Sequence, residues 1–251
     1  RISSADRRPW DDTLIAKPYR VSDPADLLWL EPDLPLGAFS LTSNASIGNS
    51  GIHRNGCTLF PNGGYAILRQ STDPSAVCAE MNFGCWGSGH SHPDKLSIVV
   101  SDGARKVVRE VKYFGYADEE YLSWDRQTIA HNTITVDEMS QAPQGDSDDP
   151  WPVPPPGTIV RGRPLLFYTG KKLKAFRAQC TDAYEGVRME RTIAIADSIV
   201  FDFFVIESDA KHQYDYALHV DARVMSTRNK IQPSSLHKLS NQYGYRHINI
   251  E

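Results

Sequence analysis

The chain has 251 residues, 40% of them hydrophobic and 23% charged, with a formal net charge of −4. This is enough apolar material for a domain-sized core in an ordinary globular chain. The mild negative charge gives no overall pull toward nucleic acid or anionic lipid, and no run approaches the roughly 18 apolar residues of a membrane-crossing helix.

The first ten residues, RISSADRRPW, include neither an initiator Met nor a secretory signal. They read as the interior of a longer protein, so they say little about compartment. Residues 1–50 are expected to be a linker and the tail of a preceding helical domain, with one short helical patch at Ala25–Leu30. From Gly51 to Glu251 the texture changes to short runs rich in Val, Ile, Phe, Tyr and Thr between turn residues. Strands are expected at Tyr65–Arg69, Ala79–Phe83, Leu96–Ser101, Lys106–Val111, Asn132–Val136, Thr158–Arg161, Leu165–Thr169, Leu173–Gln179, Val187–Ala194, Ile199–Glu207, Tyr214–Val220 and Arg223–Met225. Asn62-Gly63-Gly64 and Asp102-Gly103 supply turns. The near-continuous apolar run Ile199–Ile206 reads as a central strand. The sum is an all-β chain, a large antiparallel β-sandwich of supersandwich type. Residues 141–157, QAPQGDSDDPWPVPPPG, are too proline-rich for strand or helix. They make a surface loop, either a plain connector or a cleft rim on which Trp151 stacks a sugar ring. Cys78 and Cys85 lie close enough in sequence for a disulfide, which nothing demands.

Two segments carry chemistry. In Gly87-Ser88-Gly89-His90-Ser91-His92-Pro93-Asp94-Lys95 two histidines at i and i+2 follow a glycine-rich turn. In extended backbone they point to one side; a turn lets one bind a metal while the other faces a cleft, with Asp94 available to orient a ring. The second segment is Thr128-Ile129-Ala130-His131-Asn132-Thr133. Between them Glu110 lies in the expected strand Lys106–Val111, and two histidines with one carboxylate suit zinc. The plainer reading is solvated loop histidines and a satisfied sheet histidine. His219, at the end of a strand, reads as another satisfied one. His53, His212, His237 and His247 read as surface or loop residues.

GSGHSHPDKLSIVVSDGARKVV followed by WDRQTIAHNTITVDEMSQ resembles the paired signature of the heparinase II/III-like polysaccharide lyases, which include the oligoalginate lyases. FPNGGYAILR and YEGVRMERTI extend the resemblance, which covers most of residues 55–225. It implies an α/α-toroid preceding the β-sandwich, with the active site in the cleft between them. It also implies that His90 faces the substrate, and that His92 and His131 bind zinc with Glu110 where the family usually has Asp. Tyr116 or Tyr121 would approach the scissile sugar, and Arg126 would pair with a uronate carboxylate. The implied reaction is β-elimination of an acidic polysaccharide or oligosaccharide, with this chain forming one wall of the cleft and inactive alone. A secreted or periplasmic location follows from such a substrate. Two other readings remain: a non-catalytic module binding acidic carbohydrate, and a metal-dependent hydrolase.

Overall fold

The computed structural model describes residues 18–19, 27–29, 40–41, 52–85, 91–103, 105–110, 115–116, 118–142, 160–221 and 239–248. The architecture is all-β. Strands β1 (Pro18–Tyr19) and β3 (Ser40–Leu41) form a short parallel pair, and β2 (Leu27–Trp29) lies between them in sequence. The first large sheet is a six-stranded antiparallel meander. Its strands are β4 (Ile52–Arg54), β5 (Cys57–Phe60), β6 (Tyr65–Arg69), β7 (Cys78–Asn82), β8 (Ser97–Asp102) and β9 (Arg105–Val108). After β10 (Ile134–Val136) come β11 (Arg163–Thr169), β12 (Leu173–Tyr184), β13 (Val187–Ala196) and β14 (Ile199–Ser208). They form the second sheet in the order β14-β13-β12-β11-β2. Strand β15 (Tyr214–Tyr216), the last among the described residues, pairs with β10. Beyond it the chain runs beside β9, where Arg109 N donates to His219 O and Asp221 N to Val107 O.

Period-2 alternation explains why these sheets stack. Leu59, Ala66, Leu68, Ala79, Met81 and Ile98 lie on one face of the meander, and all are buried. Phe176, Ala178, Cys180, Met189, Ile193 and Ile195 do the same on the second sheet. The two faces make one core, in which the Phe83 and Phe176 rings approach to 5.2 Å. Burying a side chain of that size contributes roughly 1.5–3 kcal/mol. At one corner the backbone has no room for a side chain: Gly64 has φ +72°, and a Cβ there would stand 1.9 Å from Gly84 Cα.

Three expectations are corrected. Leu27–Trp29, within the expected helical patch, is a strand pairing with β11. Of the expected strand Thr158–Arg161, Val160 and Arg161 lie outside any strand, ahead of β11, and Thr158 and Ile159 lie outside the described residues. Among the described residues, the run beginning at Ile199 is the edge strand of its sheet, not a central one. Its residues Ile199, Phe201, Phe203 and Val205 are between 40% and 57% exposed. A continuous apolar run reports that both faces are greasy, not that both are covered. Cys78 and Cys85 are not joined to each other by a disulfide. Asn55-Gly56, with φ +48° and +79°, turns the β4–β5 hairpin. Asn-Gly is a residue pair that such two-residue hairpin turns favour.

Candidate functional site

Tyr65, Asn82 and Ser97 stand in register across β6, β7 and β8, as do Ile67, Glu80 and Val99. These residues lie on the meander's outer face, away from the core. A cavity of about 230 Å³ sits over this face, and His92, Asp94, Glu110, Asp125 and His131 complete its lining.

Buried polar side chains hold the two histidine segments together. A 3-10 turn, Thr128–Ala130, leads into His131, whose backbone is extended. Thr128 Oγ1 donates to Pro93 O at 2.6 Å, and Thr133 Oγ1 donates to Lys95 O at 2.8 Å. Gln141 accepts from Lys95 N at 2.7 Å and donates to Lys95 O at 3.1 Å. Asn132 Nδ2 donates to Ile98 O and Arg109 O, while its Oδ1 accepts from His219 N. Each bond satisfies a buried group that would otherwise cost about 1–3 kcal/mol. The short polar residues flanking His131 are therefore a zipper between loops 39 residues apart in the chain.

Arg191 locks the zipper from the core side. It lies on the buried face of β13 with 0% exposure. It donates to Leu96 O at 2.7 Å and to Asn132 O at 2.5 Å, one carbonyl from each loop. Nε and Nη2 reach the two oxygens of Asp202 at 2.8 and 2.6 Å, and Nη2 also reaches Tyr216 Oη at 2.7 Å. The Phe204 and Tyr216 rings flank the guanidinium at 5.0 and 5.5 Å. Leu96 has φ +63°, a costly conformation for leucine. Its N donates to Asn82 O, and its carbonyl is the one Arg191 holds.

At the cavity, His92 Nδ1 and His131 Nε2 are 3.3 Å apart. The other side of His131 is bonded at Nδ1 to Glu110 Oε2 at 2.5 Å, and Ser97 Oγ donates to Glu110 Oε1 at 2.8 Å. Burial pulls the His131 pKa down, but Glu110 and Asp94 outweigh it, so the pKa is raised. Glu110 is held below the usual carboxylate range, because His131 and Ser97 outweigh its burial. His92 is pushed down to about 4 by burial, then by neighbouring His131 and Arg126, and is neutral near pH 7. Tyr65 is pushed up to about 12 by burial and by Asp94, Glu110 and Glu80.

The sequence-derived candidates separate as follows. His92, Glu110 and His131 come together. Asp94 does not orient an imidazole: its oxygens take Lys95 Nζ and Asn82 Nδ2. Glu110 does the orienting. Tyr121 is 1% exposed, in a single π-helical turn, with its ring 6.1 Å from His92. Tyr116, 49% exposed, stacks edge-on against Tyr121 at 4.8 Å. Arg126 is buried. His219 is a satisfied histidine, with Nε2 at 3.0 Å from Ile129 O. His90 and Trp151 lie outside the described residues. Ser97, Lys95 and Arg191 were not read from the sequence as site residues.

A zinc ion can be tested against this geometry. Two nitrogens at about 2.0–2.1 Å from a tetrahedral zinc stand about 3.3 Å apart, and the imidazole nitrogens already have that separation. A carboxylate behind one of the rings is the usual outer partner of a metal-bound histidine. The cavity lining includes Glu80, Asp94, Glu110 and Asp125 and, among the described residues, no lysine or arginine, which favours a cation. The described residues contain no three-ligand His, Cys, Asp or Glu group. The two imidazoles thus fit as a pair, while Glu110 is turned toward His131.

Known proteins agree with this fold. Residues 53–242 match the family described as heparinase II/III-like, C-terminal. The exo-oligoalginate lyase of Saccharophagus degradans is 27% identical over 180 residues, 64% of this chain and 23% of that protein. The alginate lyase of Stenotrophomonas maltophilia is 29% identical over 208 residues, 74% of this chain and 26% of that protein. The chain therefore spans about a quarter of the length of these curated relatives. A solved heparinase III gene product superimposes with a TM-score of 0.56 at 16% identity, covering 68% of this chain and 25% of that one, and shares the fold. With a match over that much of its length, the chain belongs to the heparinase II/III-like C-terminal family.

Proposed function

We propose that this chain is the β-sheet part of a polysaccharide lyase that cleaves a uronate-containing polysaccharide, of alginate or heparin/heparan type, by β-elimination. On this reading it forms one wall of the cleft, and an α/α-toroid elsewhere in the same protein forms the other. The observation that carries the reading is the meeting of His92 and His131 in one cavity, with Glu110 behind His131, in a chain of this family. The chain's quarter share of its relatives' length leaves room for the second wall. A protein acting on such polymers works in the periplasm or outside the cell.

The chemistry asks for three things. The uronate carboxylate must be neutralised so that the neighbouring carbon can lose its proton. A base must take that proton, and an acid must protonate the leaving oxygen. We assign proton transfer to His90 and Tyr116, with Tyr121 packed beneath Tyr116, and substrate holding to Trp151; Arg126, buried and outside the lining of the histidine cavity, stands near Tyr121 and Tyr116 and supports them from behind. Zinc would be held by His92 and His131 and would tie their two loops into one rigid support. Glu110 serves it by fixing the His131 ring, and becomes a ligand only by releasing Nδ1. Elimination needs no hydrolytic water, so the ion is not asked to activate one.

The test is product mass after the whole protein acts on alginate and heparan oligosaccharides. Unsaturated products without added water are expected, with His90→Ala slower by about 10²–10⁴-fold. Products that have gained water would mean a hydrolase. Binding without conversion would mean a non-catalytic module. The 251-residue chain alone is expected to show little or no turnover.

A further inference from the structure

Another cavity lies at the other end of the meander. It measures about 430 Å³, against about 230 Å³ for the histidine cavity. The histidine cavity is near the β7–β8 connection; this one is near the β6–β7 turn, a strand length of roughly 15 Å away. The Gly170–Lys172 turn of the β11–β12 hairpin and the Asp197–Ser198 turn of the β13–β14 hairpin close it. Gln70 Nε2 reaches Ser198 Oγ at 3.5 Å between these turns.

Lys174 is the anomaly here. It pairs with Ile195 on the core-facing side of β12, is 4% exposed, and lines the cavity. An ammonium has three donors. Among the described residues this one makes a single bond, to Thr169 O at 3.4 Å, and has no carboxylate within ion-pair distance. That carbonyl already accepts from Asn55 Nδ2 at 2.6 Å. A buried ammonium served this poorly costs free energy unless an anion reaches it. Lys171 and Lys172 stand exposed on the same lining, and Ser71, Ser75 and Gln70 add hydroxyl and amide groups suited to sugar hydroxyls. Two carboxylates also line the cavity. Asp73 Oδ1 is engaged by Ser75 N at 2.8 Å and Ser75 Oγ at 2.7 Å, and Asp197 sits in its turn at φ +52°. The balance is three ammonium groups against two carboxylates.

We propose that this end cavity binds the carboxylate or sulfate of one acidic sugar unit, seated on Lys174 with Lys171 and Lys172 at its mouth. It is a second saccharide site, separate from the histidine cavity, able to hold a chain away from the point of cleavage. The class of sugar rests on the function proposed above; the anion preference rests on Lys174.

The experiment is calorimetric titration of the whole protein carrying His131→Ala, which keeps the saccharide uncut, with alginate oligosaccharides, with sulfated heparan oligosaccharides and with inorganic sulfate. Lys171→Gln/Lys172→Gln should weaken saccharide binding about three- to tenfold. Lys174→Met should weaken it about 10- to 100-fold. Which saccharide responds tells carboxylate from sulfate. The proposal is overturned if saccharide binds with equal affinity to all the lysine variants. It is also overturned if inorganic sulfate alone shows the lysine dependence. Should Lys174→Met unfold, the exposed double variant decides alone. Product analysis of the unmutated protein runs in parallel. Lysine-dependent binding without any elimination product keeps this site and removes the lyase reading; elimination product without lysine-dependent binding does the reverse.

Discussion

Arg191→Met tests the charge network around a fully buried guanidinium. Methionine fills most of the arginine's volume, so the change removes hydrogen bonds more than it opens a cavity. The carbonyls of Leu96 and Asn132 lose their guanidinium donor, and Asp202 loses its bidentate partner. Removing one member of a buried ion pair costs about 3–5 kcal/mol. The Asp202 side chain is 24% exposed and keeps the Tyr216 hydroxyl, which favours the lower end. At about 2–4 °C per kcal/mol for a chain this long, a loss of 3 kcal/mol lowers Tm by about 6–12 °C. Urea unfolding followed by tryptophan fluorescence measures it, with an unchanged m-value showing that the native state remains compact. Adding Asp202→Leu should restore part of the loss, because the stranded carboxylate disappears with its partner. A destabilisation below about 1 kcal/mol, or strict additivity in the double variant, would refute the argument that this pair carries the two loops.

Glu110→Gln keeps the shape of the side chain and removes its charge, so zinc affinity measured by competition with a chelator should fall about 10–100-fold; unchanged affinity removes Glu110 from the metal's support. Gly64→Ala should cost more than about 2 kcal/mol, because left-handed strain adds to contact with Gly84, whereas Gly186→Ala, at φ +69° with open space around it, should cost only about 1–2 kcal/mol. Chemical unfolding of the two variants side by side compares them. Cys57, Cys78 and Cys180 are buried, and burial pushes all three thiols up, Cys78 and Cys180 to about 11. Iodoacetamide at neutral pH should therefore leave these three unmodified in the native protein, as read by peptide mass spectrometry.

Much of the fold was legible because alternation and turns are local. Tyr65–Arg69 has the same bounds in sequence and structure. What stayed hidden depends on register. In Arg188-Met189-Glu190-Arg191-Thr192-Ile193 the arginine at 191 falls on the apolar parity, and Asp202 interrupts the apolar run of β14. Each is an inward charge in search of a partner. Only the pairing of Arg191 with Phe204 and of Ile193 with Asp202 shows that they find each other. Lys174 has the same signature, sharing its parity with Phe176 and Ala178. The candidate site was legible as residue types but not as roles. Asp94 lies next to the histidines in sequence and bonds elsewhere, while Glu110, eighteen positions beyond His92, reaches the imidazole of His131.

The free edge at β14 governs how this piece of chain would behave when produced by itself. Phe201 and Phe203 lie parallel at 6.4 Å on its outward side, beside backbone groups with no further strand to pair with among the described residues. Such a ribbon is a template for another copy. Concentrating the 251 residues should drive them into dimers or larger particles long before the core loosens, and charged substitutions at 201 and 203 should keep them apart without touching the histidine cavity.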